Sequence, residues 1–559
     1  MMTDDRLVAV ETGREHHGIG GLSTIAWLTP AALLVLILGI VSLIIAPPVI
    51  MAPWDVFILL DGGWRIVNGQ VPHSDFYTPI GPLVYWLSGL GIYAAGTSLK
   101  GISVGILLFF AVIMPWAMLV LFRKLPAPLA FLSTLFIALL VLAVRPLGYS
   151  SSVTTYAMIY NRYGWVLISV LMVQLFLHDQ SGKSNRAIFD AISAGILLAL
   201  LFLCKISFFV MGGAAVALAC FGRQELRRGL WMIVASFLAF CLIVAAVSGL
   251  DPVAYLRDLS AAGKSQSVSL RFIWLKNSLE ANILPTLLLV GCWLALIVAR
   301  YRQGEMPFAR AVHFSVIFWV IVASAMVLTV GNASEGSNVP LLPIAAIILL
   351  VQSWRSSPST FVPFEKRRMA AFPLVAAFGP ILLLIANVAA RDALSIINAY
   401  TADPMRSEVN FADTFEATRL SDFTIPRSSN WATAYSRAGA VPARTNEGFG
   451  LLRQHISPDS HLVVLALTDP FSFALNLKPS KGAPLWWDLG ISFSRTVYPK
   501  PDTVFANADF VIYPLNFSQG GCCEETVTVL LDIYRDYLKS HFTPVGTSEH
   551  WMLLKRRPD

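Results

Sequence analysis

The chain has 559 residues, of which 56% are hydrophobic and 13% charged, and its mean hydropathy is +0.65. This composition excludes a soluble globular protein and is typical of a membrane protein with several spans. The net charge of +7 does not indicate nucleic-acid binding, because the basic residues form short clusters between apolar runs, where they set membrane topology. The six cysteines show no metal-ligand spacing and predict neither a zinc site nor a disulfide framework.

Eleven apolar runs predict membrane-spanning helices. They cover residues 24–46, 101–122, 127–145, 163–178, 187–203, 206–222, 229–249, 282–299, 311–330, 340–353 and 370–390. With the N-terminus in the cytoplasm, the Lys and Arg clusters between them fall on the cytoplasmic side, as the positive-inside rule requires. We therefore predict a polytopic α-helical membrane protein, with a cytoplasmic tail at residues 1–23 and a transmembrane module at 24–390.

The segment Pro82–Ala95 is aromatic, rich in glycine and short for a span. Counting it as a span would move every basic cluster to the outside, against the positive-inside rule. We therefore predict that it lies on the membrane surface, within a first extracytoplasmic loop at residues 47–100.

That loop contains the stretch Pro53–Trp86, in which three acids stand among prolines and aromatic residues directly after the first apolar run. Aromatic side chains favour the headgroup level of a bilayer, and carboxylates placed there are costly enough to need a reason. The stretch indicates a functional site at a membrane–water boundary.

The composition changes near residue 391, after which short apolar runs alternate with a helical pattern at Glu524–His541. This alternation predicts an extracytoplasmic α/β domain at residues 391–559. Its Trp486-Trp487-Asp488 motif could stack on a carbohydrate, although tryptophans in a small domain are more often core residues. A Walker loop, a GxGxxG turn and an HExxH helix are absent from the sequence, so nucleotide-driven transport and zinc proteolysis lose support.

The opening stretch resembles the first extracytoplasmic loop of the GT-C superfamily of polyprenyl-phosphate-sugar-dependent glycosyltransferases. The resemblance lies in Asp55 after the first span, a helix ending in Asn68-Gly69, and the blocks Val71–Phe76 (VPHSDF) and Gly81–Trp86 (GPLVYW). This superfamily includes the protein O-mannosyltransferases and the lipid A aminoarabinose transferases. The resemblance is specific to this loop and is only architectural in the C-terminal domain. It implies a bacterial inner-membrane enzyme with juxtamembrane helices in this loop and a periplasmic C-terminal domain.

The resemblance also implies a reaction and its partners. A sugar moves from a polyprenyl-phosphate carrier to a hydroxyl of lipid A, a cell-envelope polysaccharide or a protein, with inversion at the anomeric carbon and without a nucleotide sugar. The partners are the lipid-linked donor, the acceptor and membrane lipids, with no nucleic acid. No cofactor is expected; a divalent cation stays open, with Asp251, Asp258 and Glu280 as conceivable ligands.

Asp55 matches the catalytic position of the family, and we predict that it is the general base that deprotonates the acceptor hydroxyl. Its alternative role is an N-cap for the helix Val56–Val67. Asp61 lies about 600° of helical rotation further on, off the Asp55 face, and we interpret it as solvated or structural. Asp75 stands in a proline-bounded turn, where it either bonds the local backbone or contacts a sugar.

The departing phosphate needs a cation or hydrogen-bond donors. Aminoarabinose transferases have a Lys just before a Pro-Pro block, whereas this chain has Ile80-Gly81-Pro82. We predict that Arg162 or Lys205 takes the place of this Lys in binding the phosphate. The alternative, structural roles are an interfacial anchor for Arg162 and a snorkelling turn residue for Lys205. A further candidate is the basic loop with Arg257, Lys264, Arg271 and Lys276.

Two more residues of the VPHSDFY segment are predicted substrate contacts. They are His73, at a position where Tyr is common in relatives, and Tyr77.

Three other functions stay open from the sequence, and one of them is a binding or assembly protein with a degenerate loop. A lipid-linked-sugar transporter or flippase would also have many helices, but it would not require the acidic loop or a large α/β domain. An O-antigen ligase or polymerase-like enzyme would place its key Arg and His in a large loop between late helices, and Gly331–Pro340 is short for that.

Overall fold

A computed structural model of the chain describes most of its residues. They are 16–44, 53–96, 98–151, 155–179, 186–266, 268–302, 307–332, 339–355, 379, 386–398, 414–423, 425, 440–515 and 524–558.

Ten of the eleven predicted spans form helices within this described part. They are His16–Ile44, Ser98–Lys124, Ala127–Leu142, Ile159–Phe176, Arg186–Cys204, Ile206–Gly222, Leu230–Ser248, Ile283–Arg302, Phe308–Asn332 and Leu341–Arg355. Five described helices are long and apolar enough to cross a membrane. The eleventh predicted span, 370–390, lies mostly outside the described residues, so the count of eleven stays a prediction. The predicted class, a polytopic α-helical membrane protein with a C-terminal α/β domain, is confirmed.

Shorter helices connect these apolar ones. They are Pro53–Val67, Leu83–Ala95, Gln224–Arg228, Pro252–Ser265 and Val268–Ala281. The last of them meets the following helix at a bend of 63°.

Glycines bring the two helices of the opening loop close to their neighbours. A Cβ at Gly63 would lie 2.9 Å from the Gly89 nitrogen, and a Cβ at Gly91 would lie 1.9 Å from the Gly101 carbonyl oxygen. Pro53–Val67 therefore packs on Leu83–Ala95, which packs in turn on Ser98–Lys124. The surface position of Leu83–Ala95 stays a prediction.

The C-terminal region forms the predicted α/β domain around a five-stranded sheet. Its strands are β1 His461–Val464, β2 Lys478–Pro479, β3 Phe510–Pro514, β4 Phe542–Thr547 and β5 Trp551–Arg556. The order is β2-β1-β3-β5-β4, with β1 parallel to β2 and β3, and β5 antiparallel to β3 and β4. The domain also contains the helices Val441–His455, Pro501–Val504 and Glu524–His541.

Two buried tryptophans belong to this domain. Trp487 is 1% exposed and packs edge-on against Phe493 and Tyr534. Trp486 is buried as well. Both are core residues rather than an exposed platform for a carbohydrate.

The predicted boundary at residue 391 falls within a helix over residues 386–398. Its Asp392 is buried and lies 2.7 Å from Nη2 of Arg145. This ion pair ties the helix to the segment that precedes the helix Ile159–Phe176. The domain boundaries stay predictions.

Candidate active site

Asp55 lies in the first turn of the helix Pro53–Val67, where a carboxylate interacts favourably with the helix dipole. Asp55 lies within the helix, so it is not the N-cap that precedes the first helical residue. The backbone N–H of Met158 instead donates to Asp55 Oδ1 at 3.1 Å. Burial raises the pKa of Asp55, and the bond from Met158 partly opposes that rise.

Met158 directly precedes the helix Ile159–Phe176 and has a left-handed backbone with φ of 54°. Few non-glycine residues adopt this conformation. It turns the chain so that the Met158 N–H reaches Asp55 while the next residues begin the helix. The bond therefore joins the opening loop to the transmembrane module at the proposed base.

Tyr160 follows Met158 by two residues and is contacted by Lys205. The Lys205 ammonium is 5.1 Å from the centre of the Tyr160 ring and 3.3 Å from Asn161 Oδ1. The charge of Asp55 acts on the Tyr160 hydroxyl, so the carboxylate and the ammonium both interact with this tyrosine. Burial lowers the pKa of Lys205 to about 8.

Gly81 brings the opening loop to the helix end beside Lys205. Its N–H donates to the Cys204 carbonyl at 3.1 Å, and a Cβ at Gly81 would lie 2.1 Å from the Leu203 carbonyl oxygen. The Ile80-Gly81-Pro82 block therefore contacts the residues directly before Lys205.

The C-terminal domain covers the opening loop. The N–H of Gly482 donates to the Asp75 carbonyl at 2.6 Å, and the N–H of Leu485 donates to the Tyr77 carbonyl at 2.9 Å. Lys481 Nζ lies 2.9 Å from Asp75 Oδ1. Asp75 Oδ2 accepts the Val71 N–H at 2.8 Å, which is the local backbone bond expected of an Asp in this turn.

This contact places Asp488 near Asp55. Burial, and then the negative charge of Asp55, raise the pKa of Asp488 to about 6. The sequence singled out Asp488 only as part of the Trp-Trp-Asp motif. Its approach to Asp55 depends on how the C-terminal domain docks, so no local signal could have revealed it.

Asp61 was expected to be solvated or structural, and the solvated alternative is wrong. Its side chain is 0% exposed and lies 2.9 Å from Arg65 Nε. Burial raises the pKa of Asp61 to about 7. Arg65 also donates to the Ser480 carbonyl at 2.7 Å, so the pair helps to attach the C-terminal domain to the opening helix.

Arg162 is buried one helical turn beyond Met158, and its guanidinium is occupied by the protein. Nε donates to the Arg145 carbonyl at 2.8 Å, Nη1 donates to the Leu140 carbonyl at 3.0 Å, and Nη2 lies 3.2 Å from Asp392 Oδ1. The structure therefore gives Arg162 a structural environment and shows no contact between it and Asp55.

His73 and Tyr77 lie beside Asp258, on the helix Pro252–Ser265. His73 Nδ1 is 3.0 Å from Asp258 Oδ2. Burial lowers the pKa of His73 and raises that of the Tyr77 phenol. Within the described ranges, no group of three His, Cys, Asp or Glu side chains is placed to hold a metal ion. The use of a divalent cation stays untested.

The fold and this site together define a class: a polytopic α-helical membrane protein with an acidic site between the helix Pro53–Val67 and the C-terminal α/β domain. Comparison with protein-family models and with curated proteins finds no match. Among solved structures, the chain is similar to ArnT from Cupriavidus metallidurans in the apo state, with 13% identity, a TM-score of 0.47, and coverage of 95% of this chain and 98% of that one. It is also similar to ArnT from the same organism bound to undecaprenyl phosphate, with 13% identity, a TM-score of 0.45 and the same coverage.

Proposed function

We propose that the protein is an integral-membrane inverting glycosyltransferase that moves a sugar from a polyprenyl-phosphate carrier to an extracytoplasmic acceptor hydroxyl. The observation that carries the proposal is the Asp55 carboxylate, held by the Met158 N–H and sharing the neighbourhood of Tyr160 with the Lys205 ammonium. A base and a cation at one site are what this transfer requires.

Asp55 accepts the proton of the acceptor hydroxyl as its oxygen attacks the anomeric carbon. The new bond joins this oxygen to the anomeric carbon, and the bond from that carbon to the phosphate oxygen breaks on the opposite face. Burial raises the pKa of Asp55, and a higher pKa makes the carboxylate a stronger proton acceptor. The proton later leaves Asp55 to water.

Lys205 compensates the charge that gathers on the departing polyprenyl phosphate. Lys205 is favoured over Arg162 because the guanidinium of Arg162 is bonded to two carbonyls and to Asp392. Lys205 also lies beside Gly81, through the Cys204 contact, where the resemblance places a Lys.

The donor class tests this function. Purified protein in detergent or nanodiscs is given either glycosyl polyprenyl phosphates or the corresponding nucleotide sugars, with envelope extract as the acceptor source. We expect transfer only from the lipid-linked donor. Transfer from the nucleotide sugar alone would contradict the proposal, and movement of the lipid-linked sugar across a bilayer without transfer would favour a flippase.

A further inference from the structure

A second polar cluster lies where the opening loop meets the helix Pro252–Ser265. His73 is 2% exposed and has a left-handed backbone with φ of 68°. Few non-glycine residues adopt this conformation, although His is among those that do so more often. The loop places the imidazole inside the protein, 4.5 Å from the Tyr255 ring, centre to centre.

Asp258 sets the tautomer of His73. Its carboxylate lies 3.0 Å from Nδ1, so Nδ1 carries the hydrogen and Nε2 presents a lone pair. Nε2 is buried and has no hydrogen-bond partner among the described residues. Buried polar atoms without a partner are rare in native proteins and call for an explanation.

Tyr77 adds a second polar atom of the same kind. Its hydroxyl is buried without a hydrogen-bond partner in the described part of the chain and lies within the electrostatic influence of Asp258. The lone pair of Nε2 accepts a hydrogen bond, and the Tyr77 hydroxyl donates one. The Asp258 carboxylate and the lone pair of His73 Nε2 disfavour an anion here. A hydroxyl group can donate a hydrogen bond to Nε2 and accept one from the Tyr77 hydroxyl.

The cluster is connected to the proposed base. The Thr78 N–H lowers the pKa of Asp258 and so interacts with its carboxylate, and Thr78 Oγ1 lies 2.7 Å from the Tyr85 hydroxyl. The charge of Asp55 acts on that Tyr85 hydroxyl in turn. Buried polar groups of the opening loop therefore connect the surroundings of Asp55 with those of His73.

We propose that His73 Nε2 and the Tyr77 hydroxyl form a subsite for a sugar hydroxyl, with Asp258 as the positioning residue that fixes the His73 tautomer. This inference rests on the proposed function and adds the class of ligand group that this corner of the site takes. The hydroxyl belongs either to the donor sugar or to a glycan acceptor.

Two variants of His73 separate a subsite from a purely structural role. His73→Asn places an amide N–H near the position of Nδ1 and keeps the bond to Asp258, but it loses Nε2. His73→Gln reaches the position of Nε2 with its amide oxygen. Asn also tolerates the left-handed backbone better than most residues. If His73 is only structural, His73→Asn should therefore keep more activity than His73→Gln, and if His73 binds the substrate, His73→Gln should keep more.

We expect His73→Asn to lose about tenfold or more in kcat/KM, as for one lost hydrogen bond, and His73→Gln to retain more activity at equal folded protein. The substrate whose KM rises identifies the source of the hydroxyl. In wild-type protein with 15N-labelled histidine, the Nε2 resonance of His73 should move with the substrate so identified and stay unchanged with sugar-free polyprenyl phosphate.

If the wild type is active but His73→Asn loses no more kcat/KM than His73→Gln, the inference is wrong and the proposed function stands. The same holds if the His73 resonance moves with sugar-free polyprenyl phosphate. Absence of transfer by the wild type would overturn the proposed function and this inference with it.

Discussion

Asp55 and Met158 are 103 positions apart in the chain, and the Met158 N–H donates to the Asp55 carboxylate at 3.1 Å. The bond holds the carboxylate at the junction of the opening loop and the transmembrane module. The charge of this carboxylate also helps to raise the pKa of Asp488, in the C-terminal domain. Asp55 therefore interacts with residues from two distant parts of the chain.

Lys205 should give the transfer reaction an alkaline limit. Its pKa, lowered by burial to about 8, means that the ammonium loses its charge as the pH rises through this value. Activity measured from pH 6 to 10 should therefore fall above about pH 8, because the phosphate loses its cation. In Lys205→Arg, whose guanidinium stays charged over this range, any residual activity should persist to higher pH. An unchanged alkaline limit in Lys205→Arg would assign it to another group.

Gly81 should not tolerate a side chain. A Cβ at this position would lie 2.1 Å from the Leu203 carbonyl oxygen, so Gly81→Ala must move the loop away from the helix end beside Lys205. We expect lower thermal stability and lower transfer. Gly213→Ala is the matched control, because nothing lies within 4 Å of a Cβ there. Equal melting temperatures for the two variants would show that the loop adapts freely.

Much of the fold follows from local pattern, whereas the site follows only in part. The helix Glu524–His541 and most spans are predicted within a few residues, because apolar length and helical periodicity are written into contiguous sequence. Asp55 is recognisable because the loop around it is unusual.

The partners of the site residues are not recognisable in this way. The sequence makes Arg162 a candidate for binding the phosphate. In the structure Arg162 pairs instead with Asp392, 230 positions away. His73 meets Asp258 across 185 positions. Such pairs depend on how helices and domains dock, which a single sequence does not encode in any local pattern.

Asp61 should matter for stability rather than for chemistry. Replacing Asp61 by Asn removes the carboxylate next to the buried Arg65, and weakening such a charged hydrogen bond costs about 1–3 kcal/mol. We expect a lower melting temperature with near-native turnover per folded molecule, measured by scanning fluorimetry and by the transfer assay. A large loss of turnover in fully folded Asp61→Asn would make Asp61 part of the catalytic machinery.

The C-terminal domain should lie outside the cytoplasm, since the basic clusters predict a cytoplasmic N-terminus. A reporter that is active only in the periplasm, fused after residue 559, should be active, and a cytoplasmic reporter at the same position should be silent. The opposite pair of results would place the domain in the cytoplasm and overturn the eleven-span topology.

The turnover of Asp55→Asn tests the central claim most directly. Asn keeps the size of the side chain and an oxygen that can accept the Met158 N–H, but it cannot take a proton from the acceptor. General-base contributions are typically about 10²–10⁴ in rate, so turnover should fall at least about a hundredfold while the melting temperature stays near that of the wild type. Near-native turnover, or a loss of activity that only follows a loss of folded protein, would show that Asp55 is structural and that the base must be sought elsewhere.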